Sequence, residues 1–500
     1  MAMATAEEAA ALARPTPLGA AAADGRHIRR VALDRTGDNN GGNDGDDDAA
    51  VERRVVKKFD RHVLTLLFVL FLLSFLDRSN IGNARIAGMQ RQLNLSGDQY
   101  DWLLTIFYIA YILFEPLIVL FKMVPARRWI AVLVAGWGVA ATAQAAAQSW
   151  SALMACRFFL AAFEAGFGPG IVYLLSFYYL RRELGLRIAV FFSAAPLATC
   201  FAGALAYAVT SGRAALAGWR LLFLVEGAPV LAMAVVAYLA MPDAAPDAWF
   251  LTPRERRAAR ARQVRQVGKE TRVGRLDWRD AVAASADLKP WLTALMYFSC
   301  NVSYSSLPVF LPTILHDMGF SGLDAQGLSA PPYFVAFLVT IATTIVADRT
   351  QQRGRMVAGM ALVGGAGYVV LASATSTGAR YAAVFLAAAG VFPTIANILP
   401  WVLNNQGSDE RRGASIVILN LVGQCGPLLG TRVYPEHEGP YYVKGHAVCA
   451  AFMLLVALLA VALRARLARE NRELDARYGD PASHGDEGVE NYGPSYRYVL

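Results

Sequence analysis

Charge is what this sequence lacks. Asp, Glu, Lys and Arg make up 17% of its 500 residues, where a soluble chain of that size carries about a quarter. With 56% hydrophobic residues and a mean hydropathy of +0.36, the chain needs a solvent other than water. Cysteine is scarce too. Cys156, Cys200, Cys300, Cys425 and Cys449 each fall inside an apolar run without paired spacing, which excludes a disulfide framework and a zinc site and leaves packing as their role. The lone histidines His62, His316, His437 and His446 have no ligand spacing, and no phosphate loop or nucleophile constellation appears, so no metal, no cofactor and no enzyme activity are expected. The formal charge of +8 does not point to nucleic acid, because membrane proteins gather Lys and Arg in cytoplasmic loops.

What the sequence has instead is apolar runs of about twenty residues, each long enough to cross a hydrocarbon core of about 30 Å as a helix. They recur near 62–82, 101–122, 128–148, 151–180, 186–212 and 219–241, then near 290–316, 328–347, 356–375, 380–404, 413–433 and 445–465. Unbroken apolar runs rule out a β-barrel, whose strands alternate. The expected fold is an all-α membrane protein with twelve transmembrane helices in two six-helix bundles.

The expected organisation is a disordered tail over 1–60, a first bundle over 61–241, a basic loop over 242–289, a second bundle over 290–466 and a tail over 467–500. No apolar core with a cleavage-like site precedes the first span, so no signal peptide is expected. Every second loop is basic: Arg53, Arg54, Lys57 and Lys58; Lys122, Arg127 and Arg128; Arg181, Arg182 and Arg187; the central segment TPRERRAARARQVRQ; Arg349, Arg353 and Arg355; Arg411 and Arg412; Arg464, Arg466 and Arg469. That pattern assigns both termini to the cytoplasm. The sequon at Asn94 lies in a short outer loop, too near the bilayer for glycosylation to be expected.

Ionisable residues inside apolar spans cost at least about 2.5 kcal/mol each to insert and are functional candidates for that reason. Asp77 and Arg78 in the first span and Arg157 and Glu164 in the fourth meet the criterion. By helical rise, Asp77 lies about 24 Å along the first span and Arg157 about 10 Å below the outer surface, which puts them at similar depth. Glu164 is two turns beyond Arg157 on nearly the same face, near the midplane. Asn80, Asn301, Tyr304, Asn404, Asn405, Asn420 and Gln424 add neutral polar groups that line the route or simply bond helix to helix. Trp219, Arg220 and Glu226 cluster at the sixth span, with Arg220 near its outer end as an interfacial anchor.

Local motifs resemble the major facilitator superfamily. The turn ADRTQQRGR, with Asp348, Arg349, Gly354 and Arg355, is similar to its inter-helix signature, a tight glycine turn whose guanidinium groups latch neighbouring helices. The corresponding turn of the first half, KMVPARRW, carries no acidic residue of its own. CRFFLAAFEAGFGPG resembles the superfamily's fourth-helix motif. LDRSNIGNAR, GWRLLFLVEG, MPDAAPDAWFLTPRER, FLPTIL, YPEHEGPYYVKG and the closing SYRYVL look like the fungal allantoate permease branch of the anion:cation symporters. The resemblance implies the major facilitator fold, a small carboxylate such as nicotinate, allantoate or pantothenate as substrate, a proton as coupling ion, and a fungal plasma membrane as the location. It also implies coupling roles for Asp77, Arg78, Arg157 and Glu164.

The expected partners are a small organic anion, a proton and the lipid bilayer, with a monomer as the working unit. One arginine would meet the substrate carboxylate through its planar fork while a carboxyl group carries the proton. Burial opposes charge on a carboxyl and a neighbouring guanidinium favours it, so the balance changes when substrate claims the arginine. The alternatives are a buried ion-pair network that only fixes helix packing, a uniporter of a neutral solute, and a non-transporting sensor on a carrier scaffold.

Overall fold

Serine caps start several of the membrane helices. Ser96 with Gln99 forms a reciprocal capping box, and Ser149, Ser321 and Ser376 each accept a backbone N–H from the first turn they open, satisfying donors that lipid cannot. The computed structural model describes residues 44–211, 216–267, 287–406, 409–480 and 494–500. Residues 1–53 and 54–500 are separate units, and the architecture below is that of the second.

Twelve helices carry the fold: α1 Thr65–Ser79, α2 Gly97–Phe114, α3 Ala126–Ala143, α4 Trp150–Ala165, α5 Arg181–Ser211, α6 Gly218–Ala240, α7 Leu288–Asp317, α8 Gly322–Thr350, α9 Arg353–Ser373, α10 Thr377–Asn404, α11 Asp409–Gly423 and α12 Val443–Tyr478. Ten of these, taken with their helical extensions, are long and apolar enough to span a membrane. α7 falls short in hydropathy because Asn301, its serines, Pro308 and Pro312 dilute it, and α11 because it breaks before Cys425–Gly430. α1–α6 and α7–α12 form the two bundles, and no strand occurs among the described residues. Large apolar side chains such as Leu239 (72% exposed) and Leu458 (66%) lie on the outer surface of the helices, which suits lipid and not water.

Ion pairs mark one end of the helices as the basic face. Arg187 grips Asp60 through two nitrogens, at 2.9 and 3.1 Å, Lys58 meets Glu255 at 2.7 Å, and Arg262 bonds Glu183. Glu255 also closes a capping box with Thr252, which starts the loop helix Pro253–Val267; loop residues 268–286 lie outside the described set. At the opposite face the bundles touch through Arg85 and Glu436 at 3.3 Å, Arg432 and Asp98 at 2.9 Å, and the hydroxyls of Thr105 and Thr431 at 3.1 Å.

Three expectations change. Helix Asp44–Phe59 occupies the end of the stretch expected to be a disordered tail, because Val55, Val56 and Phe59 are buried and acidic residues open the helix while Lys57 and Lys58 close it, as the helix dipole favours. Residues 1–43 lie outside the described residues. α12 runs on to Tyr478, well past residue 466, and residues 494–500 pack against the second bundle. The glycine turn between α8 and α9 is not made by Gly354: the left-handed residue is Gln351 (φ 53°), and Gly354 sits inside α9, where a side chain would meet the Trp401 ring.

Candidate functional site

Long side chains from α1 and α4 meet inside the first bundle and bring together the charges that each carries. Nη2 of Arg78 lies 3.2 Å from Oε1 of Glu164, and the Ser74 hydroxyl, one turn before Arg78, donates to the same oxygen. The guanidinium also stands over the rings of Tyr111 (5.0 Å) and Phe107 (5.1 Å) from α2, cation–π contacts that Arg makes more often than Lys. Glu164 from α4 and two rings from α2 therefore hold the guanidinium, while Ser74 holds the carboxylate that pairs with it.

Arg78 faces a narrow cavity of about 30 Å³ between the two bundles, a closed-down space well below the volume of a formed small-ligand site. The first bundle contributes Arg78, Tyr108 and Tyr111, and the second contributes Tyr297, Asn301, Tyr304, Asn420 and Gln424. Towards the basic face the lining is apolar: Phe71, Val172, Phe192, Leu399 and Ile416. α4 is interrupted here, and its restart at Gly168 leaves no room for bulk beside the Tyr111 hydroxyl, 3.2 Å from where a Cβ would stand.

Arg157 is buried in a layer nearer the opposite face, on a smaller cavity of about 10 Å³ that it shares with Arg78, Tyr108, Ser305, Ser306 and Thr431. Its Nε and Nη2 have no hydrogen-bond partner among the described residues. Glu164 pairs with Arg78 across the helix interface, although Arg157 shares its own helix. Asp77 points away from the larger cavity into the first bundle, with Oδ2 unbonded. It interacts electrostatically with Arg157, Glu164 and Glu226.

Of the neutral candidates, Asn301, Tyr304, Asn420 and Gln424 are on the cavity wall. Asn301 also donates to the Gly423 carbonyl at 3.1 Å, tying α7 to α11. Asn80 is fully buried, off the cavity, with both amide atoms unbonded. Asn404 ends α10 towards the basic face, and Asn405 beside it binds the backbone of Val499. Trp219 donates to Gln92 at 2.5 Å, and Arg220 donates to the Ala145 carbonyl at 2.6 Å while standing over the Trp219 ring, so this pair fastens the end of α6 away from the basic face.

In the signature turn the arginine that pairs with Asp348 is Arg353, at 2.8 Å; Arg349 and Arg355 are exposed. Arg353 is fully buried and lies against Gly185 of α5, where a Cβ would strike its guanidinium. The Asp348–Arg353 pair of the second bundle thus touches the first. The first-half turn finds its acid elsewhere: Arg127 pairs with Asp243, after α6, at 3.0 Å.

Sequence reasoning missed Tyr297 of α7, and also Tyr108 and Tyr111, whose signal was tyrosine at three-residue spacing in α2. It also missed Glu115, which closes that span before Pro116. Glu115 and Glu226 are buried, and neither oxygen of either carboxyl has a hydrogen-bond partner among the described residues. No His, Cys, Asp and Glu grouping among the described residues could hold a metal ion.

Comparison with known proteins fits this architecture. The chain is 35% identical to an MFS transporter, prlL, of Fungal sp. strain NRRL 50135, covering 88% of this chain and 90% of that one. It is 28% identical to the high-affinity nicotinic acid transporter of Saccharomyces cerevisiae over 90% of this chain and 85% of that one. The crystal structure of the Escherichia coli fucose:proton symporter superposes with a TM-score of 0.57 at 14% identity, over 79% of this chain and 98% of that one, a likeness of fold. Residues 67–431 match the sequence model of the Major Facilitator Superfamily. The chain belongs to that superfamily: it is an integral, multi-pass transporter of small solutes and not an enzyme.

Proposed function

We propose that this transporter carries a small organic anion together with a proton, with Arg78 reading the anion and Glu164 carrying the proton. The observation that supports the reading is the Arg78–Glu164 pair at the wall of the inter-bundle cavity. A carboxylate entering the cavity competes with Glu164 for the guanidinium, and a Glu164 that loses its counter-charge in a dry site takes up a proton instead. Anion and proton then load together. Empty, the pair neutralises itself, so both the loaded and the empty carrier can pass through the occluded form.

Arg157, with unbonded guanidinium nitrogens in the layer nearer the opposite face, takes the role of first contact for the anion when that face opens. Asp77 tunes the charge of that layer, and Asp348 with Arg353 forms the latch on the basic face. Alternating access is rocking of the bundles about the cavity.

The aromatic wall of Phe71, Tyr108, Tyr111, Phe192, Tyr297 and Tyr304 suits a flat ring, since stacked and edge-on aromatic contacts are favourable. A planar ring acid such as nicotinate is the substrate class favoured here, in line with the allantoate permease branch and with the yeast nicotinic acid transporter among its relatives. The basic loops support cytoplasmic termini, and the resemblance to the allantoate permease branch supports a fungal plasma membrane as the location.

The test is uptake of labelled nicotinate, allantoate, pantothenate and biotin by cells lacking their own carriers, at two external pH values. Saturable uptake of one acid that rises at the lower pH supports the proposal. Uptake of a neutral solute alone, indifferent to pH, overturns it in favour of a uniporter.

A further inference from the structure

The motif SYRYVL, left unused by the transport reading, is docked on the basic end of the second bundle. Two consecutive residues have their backbone read by side chains, and the next by a backbone N–H. The Tyr498 N–H donates to Oδ1 of Asn471 at 2.8 Å, and Nδ2 of Asn471 donates back to the Tyr498 carbonyl at 2.9 Å. Asn405 repeats the arrangement on Val499, accepting from its N–H at 2.8 Å and donating to its carbonyl at 3.1 Å. The indole N–H of Trp401 reaches the same carbonyl at 2.8 Å, and the Gly354 N–H donates to the Leu500 carbonyl at 3.2 Å. Two carboxamides thus stand in for the neighbouring strand that an extended peptide pairs with in edge recognition.

Side chains add identity to this backbone grip. Tyr496 is buried. Arg497 pairs with Asp475 at 2.6 Å and donates to the Gly479 carbonyl. Lys289 donates to the Tyr498 hydroxyl at 3.1 Å with its ammonium over the ring. The groove is therefore built for an aromatic, basic, aromatic, aliphatic sequence in extended form, and it gathers α7, α9, α10 and α12.

The position of the groove carries the consequence. Gly354, whose N–H is capped by Leu500, follows Arg353, the residue that pairs with Asp348 and touches Gly185 of the other bundle. Trp401, held by the Val499 carbonyl, is also the ring against which Gly354 packs. The docked segment consequently fixes the start of α9, and with it the guanidinium at the contact between bundles. Ordering seven residues costs conformational entropy comparable with the net return from a handful of hydrogen bonds, so docking is poised and reversible.

We infer that residues 494–500 are a clasp on transport: docked, they hold the basic face closed by seating Arg353 against Gly185; released, they let that face open. A peptide of the same sequence, supplied in trans, would occupy the groove in their place. The inference does not depend on which solute is carried.

The experiment uses the purified full-length carrier in nanodiscs, its native cysteines replaced by alanine. Spin labels at Arg61→Cys and Thr350→Cys, both exposed and one on each bundle at the basic face, report the separation of the bundles by electron double resonance. The double variant Asn405→Ala/Asn471→Ala removes both carboxamide grips, and a second variant deletes residues 494–500. The expected result is a shift to longer separations in both, reversed in the deletion variant by the free peptide SYRYVL. The parental distribution in the double variant, or a shift that the peptide leaves unchanged, overturns the clasp.

Discussion

Arg78 and Glu164 meet at 3.2 Å across the α1–α4 interface, and Ser74 holds the same carboxylate oxygen from the other side. The guanidinium stands over Tyr111 and Phe107 as well as being paired. An ammonium in its place keeps the charge, loses the fork and weakens the ring contacts. Arg78→Lys is expected to lower uptake about tenfold or more at equal surface expression, chiefly through KM, the scale of one lost bidentate charge pair. Uptake at the wild-type level would remove Arg78 from the anion site.

Glu164→Gln keeps the shape and hydrogen-bonding reach of the side chain and removes its ability to carry a proton. Accumulation against a gradient driven by low external pH should disappear, while exchange of internal for external substrate survives, because exchange needs no net proton movement. Measuring both in the same vesicles separates them. Accumulation equal to wild type would assign the proton to another carboxyl.

How much of this was visible in the sequence depends on which physical signal a residue carries. Asp77, Arg78, Arg157 and Glu164 stood out because charge inside an apolar run is costly wherever it points. Which arginine serves which acid was not visible, because seven residues along α4 placed Arg157 and Glu164 on one face while the pair that forms runs between helices. The latch shows the same limit. The basic turn was legible, but burial chose Arg353 over Arg349 and Arg355, and backbone geometry chose Gln351 over Gly354 for the left-handed position. α7 and α11 were read as spans although polar residues and a helix break dilute them, since their place in a six-plus-six pattern compensates. The tyrosines of the cavity gave no sequence signal beyond spacing, as a tyrosine in a membrane helix is equally at home at the interface.

Glu115 and Glu226 are buried with no hydrogen-bond partner on either oxygen among the described residues. Burying an unpaired neutral polar group costs about 1–3 kcal/mol, and an ionised carboxyl more, and a fold retains that cost where function uses it. Glu115→Leu and Glu226→Leu are each expected to raise the melting temperature of the purified carrier while lowering its uptake rate. A variant that melts lower and transports normally would make that carboxyl a structural group with an unseen partner.

Two glycines set how closely the bundles approach at opposite faces. A Cβ on Gly82 of the first bundle would strike the backbone carbonyl of Val309 in α7, and a Cβ on Gly185 would strike the guanidinium of Arg353. The first obstacle is backbone inside a helix and cannot step aside, whereas the second is the end of a flexible side chain. Gly82→Ala should therefore prevent closure of the face marked by Arg85 and Glu436 and stop transport, holding the cavity open to that side. Gly185→Ala should only weaken the basic-face latch and alter the rate. Labelling of Tyr108→Cys by a membrane-impermeant thiol reagent, applied from each side of oriented vesicles, distinguishes the two. Strong labelling from the Arg85 side in Gly82→Ala, and little change in Gly185→Ala, is the expected pattern. Equal labelling in both would show that the two faces are not limited by these contacts, because a blocked closure must leave the cavity exposed on the side that cannot shut.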